Sequence, residues 1–143
     1  TAQDFMLYIA SIKGLQPKYA KRRTRELLKL VNLEKEADRK IRTFSGGMKR
    51  RLGIAQALLN DPKILILDEA TSNMDSISER EILNYIKGIR DITLILISHR
   101  INVIADSDCI YVLQKGNIVA RGTDKQLKEQ CKLYRQLYGE EEK

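Results

Sequence analysis

The sequence predicts an α/β chain: a helical part up to about residue 60, then strands and helices in alternation that form a mostly parallel sheet. Three observations predict it. Apolar residues recur at helical spacing before residue 60. Two short uninterrupted apolar runs, 63–67 and 93–97, are bounded by turn residues, as in strands buried on both faces. Between them, residues 76–88 carry helical spacing, and parallel neighbours need such a crossover.

Each element follows from its own residues. Phe5, Tyr8, Ile9 and Ile12 mark a helix over 3–13, which Gly14 and then Pro17 end. A second helix runs over 17–31, with Tyr19, Leu27, Leu28 and Leu30 as its apolar side. Residues 32–43 are polar and irregular, with a short turn over 33–38. Ser45 is a helix N-cap, and Leu52, Ile54, Ala55, Leu58 and Leu59 face the core until Asn60-Asp61-Pro62 breaks the helix. Past the second strand, a short helix covers 101–105. Residues 109–113 and 118–120, joined through Lys115-Gly116-Asn117, read as a hairpin. Two helices follow, over 123–130 and 131–138, and the last residues from Glu140 are expected to fray. A boundary is expected near 42–45, with a helical subdomain over 1–60 and the sheet-bearing part over 61–143.

Composition narrows the classes. With 43% hydrophobic residues the chain can form a core and is not disordered. The net charge of +7 admits an anionic partner or basic helix faces in water. The basic clusters, Lys18, Lys21, Arg22, Arg23, Arg25 and Lys49, Arg50, Arg51, are not interleaved with aromatics, so no platform for stacking nucleic-acid bases is indicated. Cys109 and Cys131 lack metal-binding spacing, and Cys109 is expected to be a small buried apolar group. No apolar run is long enough to span a membrane. The chain starts at Thr1 with neither Met nor a basic leader, and is expected to be a piece of a longer protein in the cytosol.

Three groups of residues carry chemistry. The strand over 64–67 ends in Asp68-Glu69, which puts two carboxylates at the carboxyl end of a parallel sheet, where ligands bind in such folds. Phosphoanhydride hydrolysis needs one carboxylate for Mg²⁺, directly or through water, and one to orient the attacking water; Asp68 suits the first role and Glu69 the second. Ser45-Gly46-Gly47 opens a helix whose first N–H groups and dipole favour an anion. His99 follows an apolar strand and could donate to a phosphate or orient water. Asp75 stands where it would cap the helix beginning at Ser76.

In order and spacing these residues resemble the ATP-binding cassette (ABC) transporter ATPases. Phe44-Ser45-Gly46-Gly47-Met48 resembles the family signature LSGGQ, with Phe44 for Leu and Met48 for Gln. Ile64-Leu65-Ile66-Leu67-Asp68-Glu69 is similar to the Walker B strand with its catalytic glutamate. Ala70-Thr71-Ser72-Asn73-Met74-Asp75 resembles the D-loop, and Ser98-His99-Arg100 the switch-histidine loop. The stretch 110–123 resembles the strand pair that closes the catalytic core. The resemblance covers essentially the whole chain, and beyond Phe44 and Met48 its more serious departure is that no G-x-x-x-x-G-K-[ST] phosphate loop occurs in these 143 residues. Residues 3–59 look like subunits whose membrane partner is a separate chain, whereas 68–138, ending in Leu133-Tyr134-Arg135-Gln136-Leu137-Tyr138, look like fused exporters.

The resemblance implies a partial P-loop NTPase (RecA-like) core with an N-terminal helical subdomain. It implies ATP and Mg²⁺ as cofactors, with Glu69 and His99 catalytic, Asp68 toward the metal, and Ser45, Gly46, Gly47, Met48 and Asp75 toward nucleotide. It also implies a second ATPase domain in a head-to-tail dimer, a transmembrane partner, and a place on the cytoplasmic face of the membrane. Direct nucleic-acid binding is not expected. The strand that carries the phosphate loop in this family pairs beside the strand represented by Thr93–Ile97, so the chain alone is expected to expose an apolar edge, to self-associate and to be inactive. Three other readings stand beside this one. An ABC-type ATPase acting on nucleic acid or ribosomes fits the positive charge. A helicase half fits Asp68-Glu69-Ala70-Thr71 but lacks the Ser-Ala-Thr that should follow. A truncated, non-catalytic domain fits the missing loop but not the intact Glu69 and His99.

Overall fold

The computed structural model describes residues 1–71 and 74–140. Its elements run α1 (Ala2–Ile12), α2 (Pro17–Leu30), α3 (Gly46–Ala57), β1 (Ile64–Asp68), α4 (Ser76–Lys87), β2 (Thr93–Ile97), α5 (Ile101–Ile104), β3 (Ile110–Gln114), β4 (Asn117–Gly122), α6 (Asp124–Gln130) and α7 (Lys132–Glu140). Two single 3-10 turns, Glu34–Glu36 and Ile41–Thr43, occupy the polar stretch before α3. The fold is α/β, as the sequence predicts. Packing divides the chain into two units, Thr1–Ile95 and Leu96–Lys143.

In the first unit, α1, α2 and α3 pack on one another. Capping decides where they start. Thr1 and Asp4 form a reciprocal capping box on α1, Pro17 opens α2, and Ser45 caps α3. The faces they bury differ in part from the periodicity. α1 buries Ala2, Met6 and Ala10, while Tyr8 and Ile12 are about two-thirds exposed. Ala2 and Ala10, two turns apart on either side of Met6, give that stripe small side chains that a neighbouring helix can approach closely. α2 buries Leu27 and Leu28 as expected, but also Arg23 and Thr24. α3 and the turn that follows it bury all five expected core residues, Leu52, Ile54 and Ala55 in the helix and Leu58 and Leu59 just after it.

β1 and β2 are hydrogen-bonded neighbours. The Thr93 N–H donates to the Lys63 carbonyl at 2.8 Å, joining the two starting ends as parallel strands do. The strands are not buried on both faces. β1 alternates, with Leu65 and Leu67 buried and Ile64 and Ile66 at 63% and 60% exposure. An all-apolar run suits a strand covered on two sides, and among the described residues one side is covered.

In the second unit, β3 and β4 form an antiparallel hairpin. Its turn residues Lys115 and Gly116 both have positive φ, 50° and 79°, the conformation that suits a tight two-residue hairpin. The register shifts by one residue between Val112 and Leu113, a β-bulge. Ile101, Ile110, Val112, Leu127, Cys131 and Tyr134 form the unit's core. The Tyr134 hydroxyl is satisfied there by donating to Asp124 at 2.8 Å. Cys109 is exposed, contrary to expectation, because it precedes the first inward position of β3, Ile110.

Candidate functional site

β1 positions the two acids. Because side chains alternate along a strand, burying Leu65 and Leu67 sends Asp68 to the opposite face, with Ile64 and Ile66. Glu69 then leaves the strand at φ 44°, a left-handed conformation that costs a residue with a Cβ about 1–3 kcal/mol. Such strain at a strand end turns the next side chain out of the sheet's alternation. Both carboxylates are exposed.

Asp68 and Glu69 open onto a cavity of about 660 Å³. Its other wall is α3, through Arg50, Gly53, Ile54 and Ala57. Two acids and an arginine therefore line one space together with apolar residues. The sequence singled out the acids but not Arg50, which reads there as one of several basic residues; its place one helical turn after Gly46-Gly47 is the available signal.

Ser45, Gly46, Gly47 and Met48 do not line that cavity. They form the amino end of α3. The Ser45 hydroxyl accepts from the Met48 N–H at 3.3 Å. Gly46 has ordinary φ, and a Cβ built on it meets nothing within 4 Å. Neither backbone conformation nor internal packing therefore requires glycine at Gly46. The first N–H groups of a helix lack intrahelical partners, and here they sit beside that bare position.

Asp75 caps α4 by accepting from the Ser78 N–H at 2.8 Å, and this bond holds its carboxyl below the ordinary carboxylate range. Ser72 and Asn73 of the D-loop resemblance lie outside the described residues. His99 belongs to the second unit and is exposed, in the turn after β2 where the Arg100 N–H donates to Ser98 Oγ at 3.0 Å. Among the described residues no three His, Cys, Asp or Glu side chains cluster to hold a metal ion. Mg²⁺ in a nucleotide site is held by one or two carboxylates together with phosphates and water, and Asp68 and Glu69 are two carboxylates of the kind such an ion takes.

The fold defines the class: part of an α/β core of the P-loop NTPase type. A family model described as "ABC transporter" matches residues 2–72. The chain is 47% identical over 94 residues to the lactococcin-G-processing and transport ATP-binding protein LagD of Lactococcus lactis subsp. lactis, covering 66% of this chain and 13% of that protein. It is 34% identical over 132 residues to an uncharacterized ABC transporter ATP-binding protein, YxlF, of Bacillus subtilis (strain 168), covering 91% of this chain and 45% of that one. The structure of a bacterial Atm1-family ABC exporter with ATP bound superposes with a TM-score of 0.83 at 27% identity, covering 99% of this chain and 26% of that one. The chain belongs to the ABC transporter family, as a part of its ATP-binding domain. It spans less than half the length of each of these relatives.

Proposed function

We propose that this chain supplies parts of two ATP sites in an ABC transporter ATPase whose hydrolysis drives transport across a membrane. The observation that carries this is the cavity that brings Asp68 and the strained Glu69 together at the end of β1, facing the helix that Ser45-Gly46-Gly47 begins. For the nucleotide of its own domain, Glu69 orients the attacking water and accepts its proton as the water oxygen bonds to the γ-phosphorus and the bond to ADP breaks. Asp68, a hard oxygen donor, would hold Mg²⁺ directly or through water; the ion would neutralise phosphate charge. By the family resemblance, His99 serves the same nucleotide.

Ser45, Gly46, Gly47 and Met48 serve the nucleotide of a second ATPase domain, paired head to tail with this one. The Ser45 cap uses a lone pair of the hydroxyl and leaves its proton for an incoming phosphate oxygen. The open space over Gly46 lets another surface approach the backbone closely. Residues 1–60 act as the helical subdomain that engages a transmembrane partner, and 61–143 as the C-terminal part of the core. The domain lies on the cytoplasmic face of the membrane. Among the described residues no helix is long and apolar enough to cross it, so the membrane-spanning part belongs to other residues or another chain.

The test is Glu69→Gln in the full-length protein. It is expected to trap ATP-bound dimers on gel filtration and to reduce turnover at least a hundredfold. Rapid hydrolysis by that variant overturns the assignment. The 143-residue chain alone contains no phosphate loop, and isothermal titration is expected to show no micromolar MgATP binding. Micromolar binding would place the main nucleotide contacts within these residues.

A further inference from the structure

Arg23 is a cation among the core residues of α2, only 8% exposed. Its guanidinium joins three elements of the first unit. Nη2 donates to Asp61 Oδ1 at 2.6 Å and to the Leu58 carbonyl at 3.3 Å. Nη1 donates to the Tyr85 hydroxyl on α4 at 2.9 Å. Tyr19, one turn earlier on α2, donates to the other oxygen of Asp61. Nε is buried with no hydrogen-bond partner.

Packing alone is a poor reason for this arrangement. A buried cation with an unmet N–H is expensive to desolvate, and a well-packed apolar side chain in such a place is often neutral or stabilising. What an apolar residue cannot do is reach two or three fixed acceptors with a rigid planar fork. The acceptors are informative. Leu58 is the C-cap of α3, and Asp61, at φ 48°, is the turn that leads into β1. Arg23 and Tyr85 thus grip the joint between the helix that starts at Ser45-Gly46-Gly47 and the strand that ends at Asp68-Glu69.

The joint is the short end of a lever. Ser45 lies about 20 Å from Leu58 along a helix that rises about 1.5 Å per residue. A tilt of about 10° at the joint displaces Ser45 by about 3 Å, and a displacement of about 1 Å in a reacting constellation can cost a hundredfold in rate.

We propose that Arg23 is a positioning residue, which sets the angle between α3 and β1 and thereby aligns Ser45-Gly46-Gly47 with Asp68 and Glu69 when two ATPase domains close. The assignment rests on the function proposed above. It takes no part in binding nucleotide to the free domain. Its loss therefore affects closure and turnover, not the first binding step.

The experiment uses the full-length protein. Arg23→Met is expected to lower kcat for ATP hydrolysis at least tenfold while KM and the affinity for a fluorescent ATP analogue stay within twofold. In a Glu69→Gln background it is expected to reduce the trapped dimer severalfold. Arg23→Lys keeps the charge without the fork, and is expected to melt close to the parent protein yet to leave kcat as low as in Arg23→Met. A merely structural role would lower kcat and nucleotide-binding capacity together, in proportion to folded protein, and Lys would restore both; that result overturns the proposal. If Arg23→Met does not fold, Tyr85→Phe removes one acceptor at a partly exposed residue, and an unchanged kcat for it overturns the proposal equally. Failure of Glu69→Gln to trap a dimer in the otherwise unaltered protein counts against the proposed function, whereas trapping that Arg23→Met leaves undiminished counts against this inference alone.

Discussion

Glu69 and Asp75 lie six residues apart in different settings. Glu69 stands in a left-handed backbone conformation at the rim of a cavity. Asp75 is occupied locally: the Ser78 N–H lowers its pKa and fixes the start of α4. The sign for stability follows. A carboxyl whose folded pKa is depressed contributes stability above its unfolded pKa, and that contribution is lost as pH falls through the folded value. Asp75→Ala is therefore expected to lower the melting temperature at neutral pH, with the difference from the parent shrinking as the solution is acidified below the carboxylate range. Circular-dichroism melts between neutral pH and pH of about 3 check it. A difference independent of pH would show that the carboxylate charge is not what caps the helix.

α3 joins the two acids' cavity to the signature-like turn, and it carries a glycine that its own geometry does not need. Gly53 is inside the helix, has ordinary φ, and a Cβ there meets nothing within 4 Å. Glycine in a helix interior costs about 0.5–1 kcal/mol relative to alanine. Gly53→Ala is expected to stabilise the folded chain by about that amount, read as a higher midpoint in urea with an unchanged slope. A lower midpoint would mean that the cavity wall at Gly53 is closed by something a methyl group displaces. The same helix shows why its apolar face was legible and that of α1 was not. α3 offers one apolar stripe, and all of it is buried. α1 offers two, and the one carrying Ala2, Met6 and Ala10 is buried in place of Tyr8 and Ile12.

For the molecule as a whole, the exposed face of the β1–β2 sheet is the feature with consequences in solution. Ile64 and Ile66 are 63% and 60% exposed, and Ile95 on the neighbouring strand is 44% exposed. Exposed apolar strands pair or stack with other chains unless something covers them. The 143-residue chain is expected to self-associate, and Ile64→Lys with Ile66→Lys is expected to shift it toward smaller species in sedimentation velocity. A parent chain that sediments as a stable monomer would refute this. Tolerance of both lysines is expected because neither position is in the core.

The sequence by itself determined the element order, the caps at Ser45 and Asp75, and the family, because these depend on local spacing: a hydroxyl or acid before a helical run, an apolar run before two acids, a Gly-Gly pair at a fixed remove. It did not reveal that Cys109 is exposed, that β1 has one bare face, or that Arg23 is buried. Those outcomes were decided by tertiary structure, since burial depends on what covers a residue, and that cover comes from positions far along the chain. Arg23 is the sharpest case. In α2 it stands among Lys21, Arg22 and Arg25, which remain in water. Glu26 pairs with it locally at 3.6 Å, but Asp61 and Tyr85, 38 and 62 residues later, supply the partners that its buried guanidinium meets across the fold.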